Sequence, residues 1–165
     1  MAIPLLAGAA APASAPEYRR ALLRVKTLGM IGYLGLDNLG FLDKVGAISL
    51  GDKQTVSDLA KTSYRGWFIA SLAQVLLELD ALARAATRGA AAADSGDREG
   101  QEAAAAARDR AALAALQATC QTILAGSMGD IVKGLSPSTT GPLGVASSLL
   151  ALYMMAVPPG KPKKA

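Results

Sequence analysis

Histidine is absent from the chain, and cysteine occurs once, at Cys120. The first absence removes the usual general base and the commonest metal ligand. The second rules out a disulfide within the chain, so nothing here calls for an oxidising compartment. Charge is scarce as well: 18% of 165 residues are charged, against about 25% in an ordinary soluble domain. Aromatic residues make up only 4%, while hydrophobic residues reach 52%. A chain poor in charge, aromatics and β-branched side chains is expected to be helical, with apolar surface facing something other than water.

What is present is mainly Ala and Leu, both strong helix formers, in a length that suits one domain. The net charge of +4 is mild, and no Lys/Arg stripe is interleaved with stacking aromatics. That balance suits anionic lipid and argues against nucleic acid. The first sixteen residues, MAIPLLAGAAAPASAP, have no basic n-region and are interrupted by Pro4 and Pro12. They read as a disordered Ala/Pro tail rather than a secretory signal.

Order is expected to begin near Glu17. Tyr18, Leu22, Val25, Gly29, Tyr33 and Leu36 recur at helical spacing, and Arg19, Arg20, Arg24 and Lys26 cluster in the same stretch, placed for contact with a membrane surface. Asp37-Asn38 is expected to bend the chain out of this helix, and residues 46–54 to form a loop. Thr55 with Asp58 resembles a capping box for a second helix, whose apolar stripe would be Phe68, Leu72, Val75, Leu79 and Leu82 and whose end would fall near Gly89. Tyr64 and Trp67 sit near its start, where amphipathic rings suit either a membrane interface or a protein core.

An Ala-rich, charge-mixed stretch at about 87–105 reads as a linker. Residues 111–129 carry no charge and place Leu113, Leu116, Cys120, Ile123 and Leu124 on one side, a buried or interfacial helix. Residues 134–160 are also uncharged. There Pro142 fits the first turn of a helix that Pro158-Pro159 would stop, and its sixteen residues would span about 24 Å at 1.5 Å per residue. Against a bilayer core of about 30 Å that is a marginal anchor. Gly141, Gly144, Leu149, Leu150, Leu152 and Tyr153 are its expected membrane-facing residues.

The fold expected is therefore all-α: a membrane-associated bundle of about four helices over residues 17–158, with a C-terminal apolar anchor and a basic cytosolic tail at 159–165. In that tail Lys161 and Lys163 match a dilysine sorting signal. No catalytic constellation emerges. Ala125-Gly126-Ser127-Met128-Gly129 falls one residue short of a nucleophile elbow and has no histidine to serve it. No phosphate-binding loop, metal-ligand spacing or carboxylate pair is found, so no cofactor is expected.

Three blocks carry a resemblance. The first runs from Gly32 to Gly46 and includes Tyr33, Asp37, Asn38, Phe41, Lys44 and Gly46. The second is Ser63-Tyr64-Arg65-Gly66-Trp67-Phe68, and the third is Gly129-Asp130-Ile131-Val132 followed by the Gly141-to-Ser148 segment. In this order and spacing the chain resembles the peroxisomal biogenesis factor 11 family. That resemblance implies a non-catalytic protein of the peroxisomal membrane with cytosolic termini. Such proteins elongate the membrane, promote proliferation and fission, self-associate and recruit fission machinery. Relative to the family the chain looks short ahead of its Asp-Asn block, which implies a weaker effect on membrane shape. Two other readings compete. One is a metabolite pore lined by Gln117, Thr119, Gln121 and Thr122; the other is a soluble helical interaction domain.

Overall fold

The computed structural model describes residues 15–157, so the N-terminal tail up to residue 14 and the basic tail with Lys161 and Lys163 lie outside the described residues. Four helices account for nearly all of the described chain: α1 (Glu17–Lys44), α2 (Lys53–Asp94), α3 (Arg98–Met128) and α4 (Pro137–Ala156). There is no strand among the described residues.

Local chemistry explains most boundaries. The C-terminus of α1 closes as a Schellman turn: Gly46 N–H donates to the Asp43 carbonyl and Ala47 N–H to the Leu42 carbonyl, with Gly46 at φ 74°. The Asp52 carboxylate accepts from Thr55 N–H at 2.7 Å and starts α2. Asp97 does the same for α3, accepting from Gly100 N–H at 3.0 Å. Helix α4 opens on Ser136-Pro137, with proline at a position whose N–H would have no partner.

Several expectations are corrected here. Asp37 and Asn38 do not bend the chain: α1 passes through them for two further turns, and the Asn38 amide donates to the Leu34 carbonyl one turn back. The cap of α2 is Asp52 rather than Thr55, and the helix runs past Gly89 to Asp94. The stretch at 87–105 is helical except for the tight turn at 95–97, because alanine sustains both flanking helices. Helix α4 starts five residues before Pro142, which sits inside it. Its 20 residues give about 30 Å, the thickness of a bilayer core.

The helices follow one another as antiparallel neighbours, each packed on the preceding and the following one, and no other pair comes into backbone proximity among the described residues. The result is an open array, α1–α2–α3–α4, with α1 and α4 at its edges. Along α1 the half-buried residues include Arg19, Leu22, Lys26, Gly29, Tyr33, Leu36, Gly40 and Asp43, alternating three and four apart as in a coiled-coil seam, with Arg20, Leu23, Thr27, Met30 and Gly32 half-buried beside them. Tyr18 and Val25, expected on that face, are exposed.

What the array buries is small. The buried set is dominated by Ala70, Ala73, Ala85, Ala104, Ala111, Ala115, Ala118 and Ala125, with Ser63, Ser71 and Ser147, and only Leu77 and Leu124 are large. The large residues lie outside. In α2, Leu72 and Leu79 are exposed and Phe68, Val75 and Leu82 half-buried, so the expected apolar stripe borders the surface. In α3 Cys120 and Leu124 are buried while Leu116 is exposed. Small residues inside and large ones outside is the arrangement of helices packed in lipid, where close backbone approach, rather than removal of apolar surface from water, holds them together.

Candidate membrane interface

Parts of the three sequence blocks meet on the first half of α2, while the Gly141-to-Ser148 segment lies on α4 and packs on α3. A Cβ on Gly29 of α1 would fall 2.7 Å from the Gly66 carbonyl oxygen of α2, so the two backbones touch at this crossing. One turn away, the Ser63 hydroxyl, 1% exposed, donates to the Tyr33 carbonyl at 3.0 Å. The Tyr33 ring stacks on Trp67 with centroids 5.4 Å apart and lies 6.3 Å from Tyr64. On the opposite face of α2, Arg65 Nε donates to the Gly129 carbonyl at 3.0 Å, and Lys61 pairs with Asp130 at 3.8 Å. Gly126 lies against the Phe68 ring. Asp130 itself takes φ 61°, closing α3 where glycine is usual.

The rest of the first block is not drawn into this cluster. Asp37, Asn38, Phe41 and Lys44 are exposed on α1, and Gly46 serves the turn that ends it. Asp43, which the sequence reading passed over, accepts from Leu50 N–H at 2.9 Å and ties the α1–α2 loop.

At the other end of the α1–α2 pair is a charged cluster. Asp80 accepts from the Tyr18 hydroxyl at 2.7 Å, pairs with Arg84, and has Arg19 Nε at 4.0 Å. Of the basic residues expected at a membrane surface, Arg19 is thus tied to α2, Arg24 is exposed, and Arg20 and Lys26 are half-buried. Asp80 gave no signal in the sequence as a partner for α1, because the two lie more than sixty positions apart.

Helix α4 is the most apolar surface of the molecule. Leu149 is 60% exposed and Met155 73%, with Val145, Leu152 and Tyr153 also exposed, Leu150 half-buried and only Ser147 buried. Gly144 faces Leu124 of α3, while Gly141 meets nothing. Both α2 and α4 are long and apolar enough to cross a membrane. The hydroxyls of Thr119 and Thr122 donate back to the Ala115 and Ala118 carbonyls of their own helix.

An all-helical array with small residues inside, large ones outside and a charge-free helix long enough to anchor it defines a membrane-associated helical protein. The profile of the Peroxisomal biogenesis factor 11 family matches residues 4–156. The chain belongs to that family, whose members serve peroxisome biogenesis and associate with the peroxisomal membrane. No curated protein and no solved structure matches it.

Proposed function

We propose that this chain resides in the peroxisomal membrane with both termini cytosolic and promotes elongation, proliferation and fission of the organelle. It acts by its shape and lipid contacts rather than by catalysis. The observation that carries the reading is the inverted packing: exposed Leu149, Leu152, Tyr153 and Met155 on α4 and exposed Leu72 and Leu79 on α2, over interfaces built from alanine. In water such a surface would aggregate; in a bilayer it is solvated.

Helix α1 supplies the curvature-generating part. Helical side chains point back toward the N-terminus, so Arg20, Arg24 and Lys26 extend toward the Asp80 end of the array, where headgroups would lie. Each basic residue near an anionic leaflet contributes about 1 kcal/mol. A second copy of the chain and the fission machinery are the expected protein partners.

The test is overproduction in cells that contain peroxisomes. Elongated or more numerous peroxisomes are expected. A variant with Arg19, Arg20, Arg24 and Lys26 all replaced by Glu should still reach the organelle through α4 but leave its shape unchanged. Localisation to mitochondria or cytosol, with peroxisomes unaltered, would overturn the proposal.

A further inference from the structure

We infer that Arg110 of α3 caps the C-terminus of α4 and so keeps the anchor helix at its full membrane-spanning length. The inference rests on the membrane reading of α4 above and adds the residue that sustains it.

Helix α4 has no means of closing its own end. The Val157 N–H donates to the Tyr153 carbonyl, the last helical bond among the described residues. The next two residues are Pro158 and Pro159. Proline has no N–H, so the chain offers no i+4 donor to the Met154 and Met155 carbonyls. The last turn holds no basic residue, and proline rather than glycine stands at the position a left-handed cap would use. A carbonyl without a donor costs free energy where water is scarce, most of all beside lipid.

The missing donors come from α3. The Arg110 guanidinium donates through Nη2 to the Met154 carbonyl and through Nη1 to the Val157 carbonyl, both at 3.4 Å. A planar fork of N–H groups can bridge two carbonyls, and its charge meets the negative end of the helix dipole. No acid competes for it. Neighbouring Arg108 pairs with Asp109, whereas Arg110 forms no ion pair among the described residues. Arg110 borders a cavity of about 690 Å³ that it shares with Glu78, Ala151 and Met154, and the Glu78 carboxylate is taken by the Gln74 amide.

The other contacts of α4 lie nearer its start. Ser147 is its one buried residue, and Gly144 rests beside Leu124. Arg110 is thus the polar tie at the far end, made from 44 positions away along the chain. A cap matters because this helix has no length to spare. Its 20 residues just match a bilayer core, and loss of the final turn would leave about 24 Å.

Amide hydrogen exchange on the purified full chain in detergent micelles tests the cap. Arg110→Ala is expected to speed exchange at Met154, Met155, Ala156 and Val157 by roughly five- to tenfold, with the amides of α2 unchanged. Arg110→Lys, which has no fork to bridge two carbonyls, should fall between the two. Adding Pro158→Gly to Arg110→Ala is expected to restore protection, because glycine there supplies both the N–H and the left-handed cap. If Arg110 only packed α4 against α3, the double variant would exchange as fast as the single one, and that result would overturn the inference. Unchanged exchange in Arg110→Ala would overturn it too. In membranes, Arg110→Ala should pass in part into the carbonate-soluble fraction; full retention despite faster exchange would overturn the link from cap to spanning length. Release of the parent chain as well would instead overturn the membrane reading beneath it.

Discussion

Two glycines one turn apart on α1 look interchangeable in the sequence but play opposite parts. Gly29 lies against the Gly66 carbonyl and Ala70, whereas nothing lies within 4 Å of the position a Cβ would take on Gly32. Gly29→Ala is expected to push α1 off α2 and cost about 1–3 kcal/mol, the usual range for overpacking. Gly32→Ala should stabilise the helix by up to about 1 kcal/mol, since it adds helix propensity and meets no neighbour. Thermal unfolding in detergent micelles, followed by helical circular dichroism, separates the two. Asp37 offers a third contrast. It is exposed in the middle of a continuous helix, so Asp37→Ala should raise stability by about 0.5 kcal/mol and leave protein abundance unchanged. Had it formed a bend, as the Asp-Asn pair suggests when read alone, the same change would lower both.

At the scale of elements, the helices and their order were legible in the sequence, while their ends were misread wherever a local signal competed with alanine or leucine on either side. Asp-Asn reads as a turn, yet the Asn38 side chain is satisfied by the Leu34 carbonyl within the helix, so no break results. The charged alanine stretch reads as a linker, yet only 95–97 leave helical geometry. Which face each helix buries was the least legible feature. Periodicity identifies large apolar residues such as Leu72 and Leu79 as core, and here the core is the alanine line between them. The three sequence blocks carried the resemblance through their order and spacing together, but the contacts that parts of them make on α2 depend on the hairpin registers, which no short motif encodes.

The start of α2 gives a pH-dependent expectation. The Thr55 N–H bond holds the Asp52 carboxyl below the usual aspartate range, because that bond favours the ionised form. A carboxylate with a lowered pKa stabilises the fold above its ordinary pKa and ceases to do so as pH falls through its folded value. The first turn of α2 should therefore fray in acid, and Asp52→Asn should flatten that response. Amide exchange at Thr55 and Val56 across an acid titration would read it, and an unchanged profile in the Asn variant would refute the assignment.

For the molecule as a whole, retention depends on α4. Replacing Leu149 and Leu150 with Arg places two charges near the middle of a helix that only just matches the bilayer, at about 2.5–3.5 kcal/mol each on insertion scales. The doubly substituted chain should appear in the carbonate-soluble fraction while the parent stays in the pellet, and equal retention of both would count against α4 as the anchor. The open array has a consequence for how the protein is made. Because every helix touches only its neighbours in the chain, each docking step joins two consecutive helices and needs nothing made later. Helix α2 can pack on α1 before α3 has been synthesised, and α4 needs only α3 in place. Assembly can thus keep pace with translation, each new helix docking on the last to emerge.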